Sequence, residues 1–391
     1  MSQRILGAAL AALCLVAASP ASAAEVPAAD FAPFVARQVA PRVHLLMTPA
    51  DYFGPVVGNV TLIEQSDGLV IIDSGLTAGN GRSVVAYARS LSPKPVKAVA
   101  ITHWHNDHPQ GVSAIRDAWP KVRIIATSAT EAGMLGPEAD GVGFRPDEKF
   151  DVAMRAQVAE SEAALVKLLT DPETAPDRKE RVKKALEAYR LFPDSYHGTY
   201  IVPPTDTFER EFLLDDPELP VRLLHLGRAN TNGDLVAWLP RQKIVASGDI
   251  VVAPLPFGFY SYPGEWIATI AKLKALGFTT LIPGHGEPQT DTAYLDKLVT
   301  AIADIRAQVA PLAKQGLPLD DVRKKVDFST SAALFGTEPR IRANIISLFF
   351  DPMVQSAYKE ALGQAIGQGD PERKPDYRHS PPKPSSKKHK S

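Results

Sequence analysis

His103-Trp104-His105-Asn106-Asp107-His108 is the stretch on which the reading of this chain turns. It follows directly on residues 96–102, an apolar, β-branched run that reads as a strand, so three imidazoles and a carboxylate stand at a strand's C-terminal end. Side chains this close together can converge on one or two metal ions, because borderline divalent metals take nitrogen and oxygen donors. A polar turn that merely happens to be rich in histidine explains the density poorly. The chain has one cysteine, Cys14, which excludes a disulfide framework, a cysteine-rich zinc finger and a two-thiol redox site within one chain. Any metal must therefore be held by histidines and carboxylates.

Strand and helix alternate around this run. Upstream, residues 58–73 give two β-rich segments separated by Gln65-Ser66-Asp67-Gly68, a hairpin signal. A helix is predicted over 81–91 and a further strand over 122–127. Residues 153–191 read as helical throughout, with a break at 171–177 marked by Pro172 and Pro176, so a helical pair is inserted between β elements. Strands are expected again at 221–226, 235–239 and 244–247. A helix follows over 266–276, ended by Gly277, then a short strand at 280–283, a long helix over 292–314 and more helix over 340–363. No internal repeat at a solenoid period is visible.

With 391 residues, 45% of them hydrophobic and 22% charged, the chain has globular composition and the length for one large core or two ordinary ones. Residues 1–24 hold Arg4, an apolar run over 5–18 and an Ala- and Ser-rich end with a cleavage site near Ala23 or Ala24, which predicts a signal peptide. The apolar run is shorter than the roughly 20 residues that cross a bilayer. Cleavage removes Cys14, which suits an oxidising compartment, so the expected location is periplasmic or secreted. Residues 368–391 are rich in Pro, Ser and Lys with almost nothing apolar, and are expected to form a disordered basic tail. The overall charge of −1 averages two unlike parts: signal and tail set aside, the body has 35 bases against 41 acids, about −6. No global field recruits nucleic acid, and the expected partner is a small-molecule substrate, with no transmembrane segment in the mature chain. Composition leaves the oligomeric state open.

The histidine run resembles the metal-binding signature of the metallo-β-lactamase superfamily. That resemblance implies an α/β fold, the αββα four-layer sandwich, over residues 25–315, here with a helical insertion at about 150–195 and a C-terminal helical extension over 316–367. The family's other motifs have counterparts in order. Asp73-Ser74-Gly75 resembles the early turn whose acid braces the metal site from behind. Ser247-Gly248-Asp249 resembles the place of an aspartate shared by two metals, and Pro283-Gly284-His285-Gly286 resembles the late turn that supplies a histidine to the second metal. One position departs. Where the family has a histidine, Gly227-Arg228-Ala229-Asn230-Thr231-Asn232-Gly233-Asp234 places Asn230.

By this resemblance, one ion is expected at His103 and His105 with Asn230 in place of a third imidazole. A second is expected at Asp107, His108 and His285, with Asp249 shared. A carboxamide oxygen is a weak donor to a borderline metal, so the first site should bind more loosely. Asn230 ligates weakly, stands back while water fills the gap, or marks a loop that has lost its role. His225 is a disfavoured substitute, since it sits within the expected strand five residues upstream, and His44 and His197 have no partner pattern and read as ordinary core or surface residues.

The implied activity is hydrolysis of an ester, lactone, thiolester or cyclic amide of the β-lactam kind, with zinc or another divalent metal as cofactor, one ion or two. The ion lowers the pKa of its water towards about 7, and the resulting hydroxide attacks the carbonyl. Asp107 and Asp249 are the expected catalytic residues, orienting and deprotonating that water. Phe257, Phe259, Tyr260 and Tyr262, in an aromatic stretch after Asp249, either wall a substrate pocket or pack the core. The rival expectation is a non-catalytic metal- or ligand-binding protein on a degenerate hydrolase scaffold. The acidic body disfavours a nuclease, and the signal peptide disfavours a cytoplasmic thiolester hydrolase.

Overall fold

The computed structural model describes residues 32–135 and 148–366. The expected signal segment, 1–24, and basic tail, 368–391, lie outside the described residues. Strands β1 (Val35–Ala40), β2 (Val43–Met47), β3 (Val60–Glu64) and β4 (Leu69–Ile72) pair antiparallel in chain order, with the expected hairpin turn between β3 and β4. Helix α1 (Ala78–Leu91) carries the chain to β5 (Val96–Ala100), which lies parallel to β4. Next come α2 (Val112–Ala118), β6 (Arg123–Thr127), α3 (Ser128–Leu135), α4 (Glu148–Thr170) and α5 (Pro176–Ser195). β7 (Asp206–Phe208) then completes a seven-stranded sheet ordered β1 to β7.

The second sheet has β8 (Glu211–Leu214), β9 (Val221–Leu224), β10 (Val236–Leu239), β11 (Ile244–Ala246) and β12 (Thr280–Ile282), ordered β12-β11-β10-β9-β8. β11 and β12 are parallel and are joined through α6 (Pro263–Ala275). The chain ends in α7 (Ala293–Lys314), α8 (Leu319–Lys325), α9 (Ser329–Ala333), α10 (Pro339–Ile345) and α11 (Asp351–Ala361), the last two joined by a π-helical turn, Ile346–Phe350.

Alternation along the strands builds the layers. Val60, Leu62, Leu69 and Ile71 face outward and pack with Val84, Ala88, Val112 and Ile115 of α1 and α2. Their neighbours Ile63, Val70 and Ile72 face the second sheet and pack with Val221, Leu223, Ala237 and Leu239. On the far face, Val236, Trp238 and Val245 are covered by Ile270 and Leu273 of α6, Leu298 and Ile302 of α7, and Met353 of α11. A strand buried on both faces reads as an unbroken apolar run, which is why β4 and β10 were plain in the sequence. Helix, sheet, sheet and helix give the expected four-layer sandwich.

The inserted pair, α4 and α5, lies antiparallel and adds Met154, Val158 and Tyr196 to the outer core of the first sheet. Strands β1, β2, β7 and β8 and the short helices α2 and α3 have no counterpart in the sequence reading, whereas α8 and α9 fall in the helical extension expected over 316–367. β9 ends at Leu224, so His225 stands on the following loop rather than inside the strand. No helix among the described residues is long and apolar enough to cross a membrane.

Candidate metal centre

The parallel pairs β4/β5 and β11/β12 put the C-terminal ends of their strands at one edge of the sandwich, where the ligand-bearing loops gather. Asp73, directly after β4, is buried and holds a left-handed backbone conformation, φ 60°. Its Oδ1 accepts the Thr102 amide at 2.8 Å, and its Oδ2 accepts the Thr102 hydroxyl at 2.8 Å. The same Oδ2 accepts His108 Nδ1–H at 2.8 Å. An ionised carboxylate only accepts, so Nδ1 of His108 is committed as the donor and Nε2 is left for the site. The Thr102 hydroxyl, its hydrogen given to Asp73, is left to accept from His103 Nδ1 at 3.0 Å. One carboxylate thereby orients two imidazoles.

Their Nε2 atoms converge with the other candidates. His103 Nε2 lies 3.0 Å from His105 Nδ1 and 3.6 Å from Asp249 Oδ2. His108 Nε2 lies 3.6 Å from Asp107 Oδ2 and 3.2 Å from Asp249 Oδ1. His285 Nε2 lies 3.0 Å from Asp107 Oδ2 and 3.4 Å from Asp249 Oδ1. The result is two candidate cation-binding groups, His103/His105/Asp249 and Asp107/His108/His285, with Asp249 touching both. The resemblance implied Asn230 beside His103 and His105; in the structure the carboxylate grouped with them is that of Asp249.

The loops are held by backbone as well. Asn59 Nδ2 donates to the carbonyls of Pro283 and Gly286, both at 2.9 Å, on either side of His285. Gly58 N donates to Asp107 O at 3.1 Å. Gly284 passes so close to Asp249 that a Cβ there would sit 2.0 Å from Oδ1, which only glycine avoids.

Burial and the neighbouring His108 imidazole hold His103 well below the usual histidine range. For His108 and His285 burial pulls the same way, but the Asp249 and Asp107 carboxylates win, raising His108 and bringing His285 to about 9. Burial in turn opposes ionisation of Asp107 and Asp249, yet the facing histidines hold both below the usual carboxylate range. His108 Nε2, His285 Nε2, Asp249 Oδ1 and Asn230 Oδ1 are all buried and in no hydrogen bond. Imidazole nitrogens and carboxylate oxygens orphaned in this way fit a divalent cation.

Asn230 is fully buried and turns its Nδ2 towards Asp249 Oδ2 at 3.4 Å, so its amide reaches the shared aspartate. His225 Nδ1 is engaged by Asp234 O at 2.7 Å, and His225 belongs to neither group. His44 is a buried core histidine, between Glu64 at 2.9 Å and the Tyr87 hydroxyl at 3.2 Å, and His197 is exposed.

Of the aromatic stretch, Phe257 places its ring edge-on to His285, centroids 6.0 Å apart. Tyr262 is buried at the start of α6 with the Arg228 guanidinium 4.4 Å over its ring, a packing role. Phe259 and Tyr260 are half-buried. The cavity that includes His285, about 360 Å³, is lined by other residues, Tyr52, Phe53, Val56, Val57 and Tyr189. Sequence reasoning missed these. A signal existed in Tyr52-Phe53-Gly54-Pro55 ahead of β3 and in the spacing of Tyr189 and Phe192 on α5 and Tyr196 directly after it.

A linear primary-alkylsulfatase of Pseudomonas sp. (strain ATCC 19151) is 27% identical to this chain over 332 residues, 79% of the chain and 56% of the relative. Alkyl/aryl-sulfatase BDS1 of Saccharomyces cerevisiae (strain ATCC 204508 / S288c) is 36% identical over 296 residues, 70% of the chain and 42% of the relative. The chain thus spans about half the length of the curated relatives it matches. Among solved structures, the inverting sec-alkylsulfatase Pisa1 from Pseudomonas sp. superposes with a TM-score of 0.56 at 17% identity, over 84% of this chain and 50% of that one, a likeness of fold. The model of the metallo-beta-lactamase superfamily matches residues 53–285, from the loop before β3 to the last histidine of the centre. With the four-layer sandwich and the gathered loops in the family's order, the chain belongs to the metallo-β-lactamase superfamily.

Proposed function

We propose that this chain is a divalent-metal-dependent hydrolase, with zinc the ion best matched to its imidazole-rich donors, acting on a sulfate monoester of an apolar alcohol. The observation that carries the hydrolase reading is that the buried Nε2 atoms of His108 and His285, neither in a hydrogen bond, converge on Asp249 Oδ1 at 3.2 and 3.4 Å beside a cavity that His285 lines. The ester class is supported by the relatives' names and by the apolar lining. It widens the carbonyl esters, lactones, thiolesters and cyclic amides expected from sequence.

When bound, a divalent ion supplies Lewis acidity, which makes water easier to deprotonate and offsets charge developing on the ester. His103, His105, Asp107, His108, Asp249 and His285 are the residues that would hold it. Asn230 stands beside them as a donor to Asp249. Asp107, its carboxylate partly exposed, takes the proton of the attacking water, and Asp249, between the two groups, orients that water. Asp73 and Thr102 keep the ring nitrogens aimed inward while the reaction proceeds.

The test is turnover by zinc-loaded full-length protein of primary alkyl sulfates against carboxylic esters, lactones and β-lactams. Sulfate-ester turnover lost on chelation is the expected result. Metal bound with no turnover of any substrate would leave the non-catalytic binding protein as the better reading. Export is part of the proposal, supported by the composition of residues 1–24. N-terminal sequencing of the protein from expressing cells should find a start just after Ala23 or Ala24.

A further inference from the structure

We propose that α5, from the inserted helical pair, is the wall that selects the apolar portion of the substrate, with Tyr189 as the specificity-determining residue. This rests on the hydrolase reading above and names what its cavity recognises.

The cavity beside His285 is walled on one side by Tyr52, Phe53, Val56 and Val57, from the loop between β2 and β3, and on the other by Tyr189. Apart from His285, the described residues that line it include no carboxylate, lysine or arginine, and Thr48, Tyr52 and Tyr189 bring only neutral hydroxyls. A volume of about 360 Å³ lies in the range of small-molecule sites. Phe53 and Val56 keep 38% and 50% of their surface exposed, large apolar side chains left uncovered at the rim. An apolar ligand covers such groups; an anionic head belongs at the cation-binding groups on which His285 borders.

α5 is built to hold this wall in place. Tyr189 and Phe192 on α5 and Tyr196, which follows directly on its last turn, recur at intervals of three and four residues, so they lie along one side. Phe192 meets Tyr196 edge-on at 5.2 Å, and Tyr196 is buried near enough to Asp107 to feel its charge. The aromatic face therefore runs from the cavity towards the metal centre. The opposite wall is latched to the same helix: Asp51 pairs with Lys184, and Gly54 lies so close that a Cβ would meet Ala188 Cβ at 2.8 Å. The Tyr52 hydroxyl closes the loop on itself by donating to Pro55 O at 3.0 Å. Loop and helix thus form one cleft whose width is set by α5, an element that lies between β6 and β7 in sequence and reaches the site only through packing.

The test uses zinc-loaded full-length protein and primary alkyl sulfates of four to eight carbons. In the unmodified protein kcat/KM should rise by up to about fourfold per added methylene while the chain fits the cavity. Tyr189→Ala should flatten that rise, with the change in KM, and Tyr189→Phe should keep it. A rise equally steep in Tyr189→Ala, or no dependence on length in the unmodified protein, overturns the proposal. If no sulfate is turned over at all, the sulfate-ester reading fails, and calorimetric binding of the same alkyl sulfates still decides this one: length-dependent affinity lost in Tyr189→Ala supports it, and equal affinity overturns it. Should Tyr189→Ala not fold, Val56→Ser, at the exposed rim, is to show the same flattening.

Discussion

His108 Nδ1 lies 2.8 Å from Asp73 Oδ2, the same carboxylate oxygen that takes the Thr102 hydroxyl. Through this oxygen the two buried histidines of the centre are oriented together. Asp73→Asn leaves one acceptor oxygen where two now take three hydrogen bonds. Partners of this kind contribute about 10–100-fold to metal affinity. Zinc affinity measured by competition with a chromogenic chelator should fall by that order, in a variant whose circular dichroism is unchanged. Affinity within threefold of the parent would show that the imidazoles need no such brace.

Asn230 donates towards Asp249 rather than offering a nitrogen lone pair. Asn230→His places an imidazole against the His103/His105 group. The expected outcome is more metal retained per chain after dialysis against limiting zinc. An unchanged stoichiometry and affinity would mean that residue 230 does not stand at a ligand position.

Removing the metal should soften the whole sandwich at this edge. At a free zinc concentration a hundred times the dissociation constant, binding adds about 2.7 kcal/mol. For a domain of this size that corresponds to a drop on the order of 5 °C in Tm on chelation. Scanning calorimetry with graded zinc should show Tm climbing with concentration, and a Tm indifferent to chelator would count against any bound ion.

Acid sensitivity is expected away from the centre, at Asp216 in the β8–β9 turn. Burial alone would raise this carboxyl, but hydrogen bonds from Ser66 and from the amides of Leu219 and Glu218 hold it well below its usual range. A depressed folded-state pKa contributes stability that is present above about pH 4 and lost as pH falls through the folded value. Asp216→Asn keeps one acceptor but turns an amide towards the Ser66 N–H. It should cost about 1–3 kcal/mol at pH 7 and lose less than the parent between pH 4 and 2, read from urea midpoints. Parallel acid branches in both proteins would argue against the link.

Gly284→Ala tests how tightly the shared aspartate is seated. The new methyl would fall 2.0 Å from Asp249 Oδ1, against backbone that Asn59 holds on both sides of His285. Metal binding should drop at least tenfold with the fold retained by circular dichroism; normal binding would mean the loop yields easily.

The centre was legible because its ligands lie in short local motifs, each at the end of a strand whose apolar run was itself visible. What escaped notice depends on register and packing. β1 and β8 are half-exposed strands at sheet edges, with Arg37, Gln38 and Glu211 diluting the apolar pattern. His44 showed no partner because Glu64 and Tyr87 reach it only through strand pairing and the docking of α1. Tyr189 sits on a strongly charged helix whose local sequence gives no hint that residue 52 lies across from it. The aromatic stretch after Asp249 drew attention by composition, and Phe257 within it meets His285 edge-on.

Asn59 and Pro283 are held together although 224 positions separate them. A chain growing from its N-terminus can finish the seven-stranded sheet at Phe208 and expose His103, His105, Asp107 and His108 before Asp249 and His285 have been made. Half a centre at that stage has no shared carboxylate. Complete ligation is therefore a late event in the protein's synthesis, and a chain interrupted before β12 would carry most of the fold without the means to close the metal site.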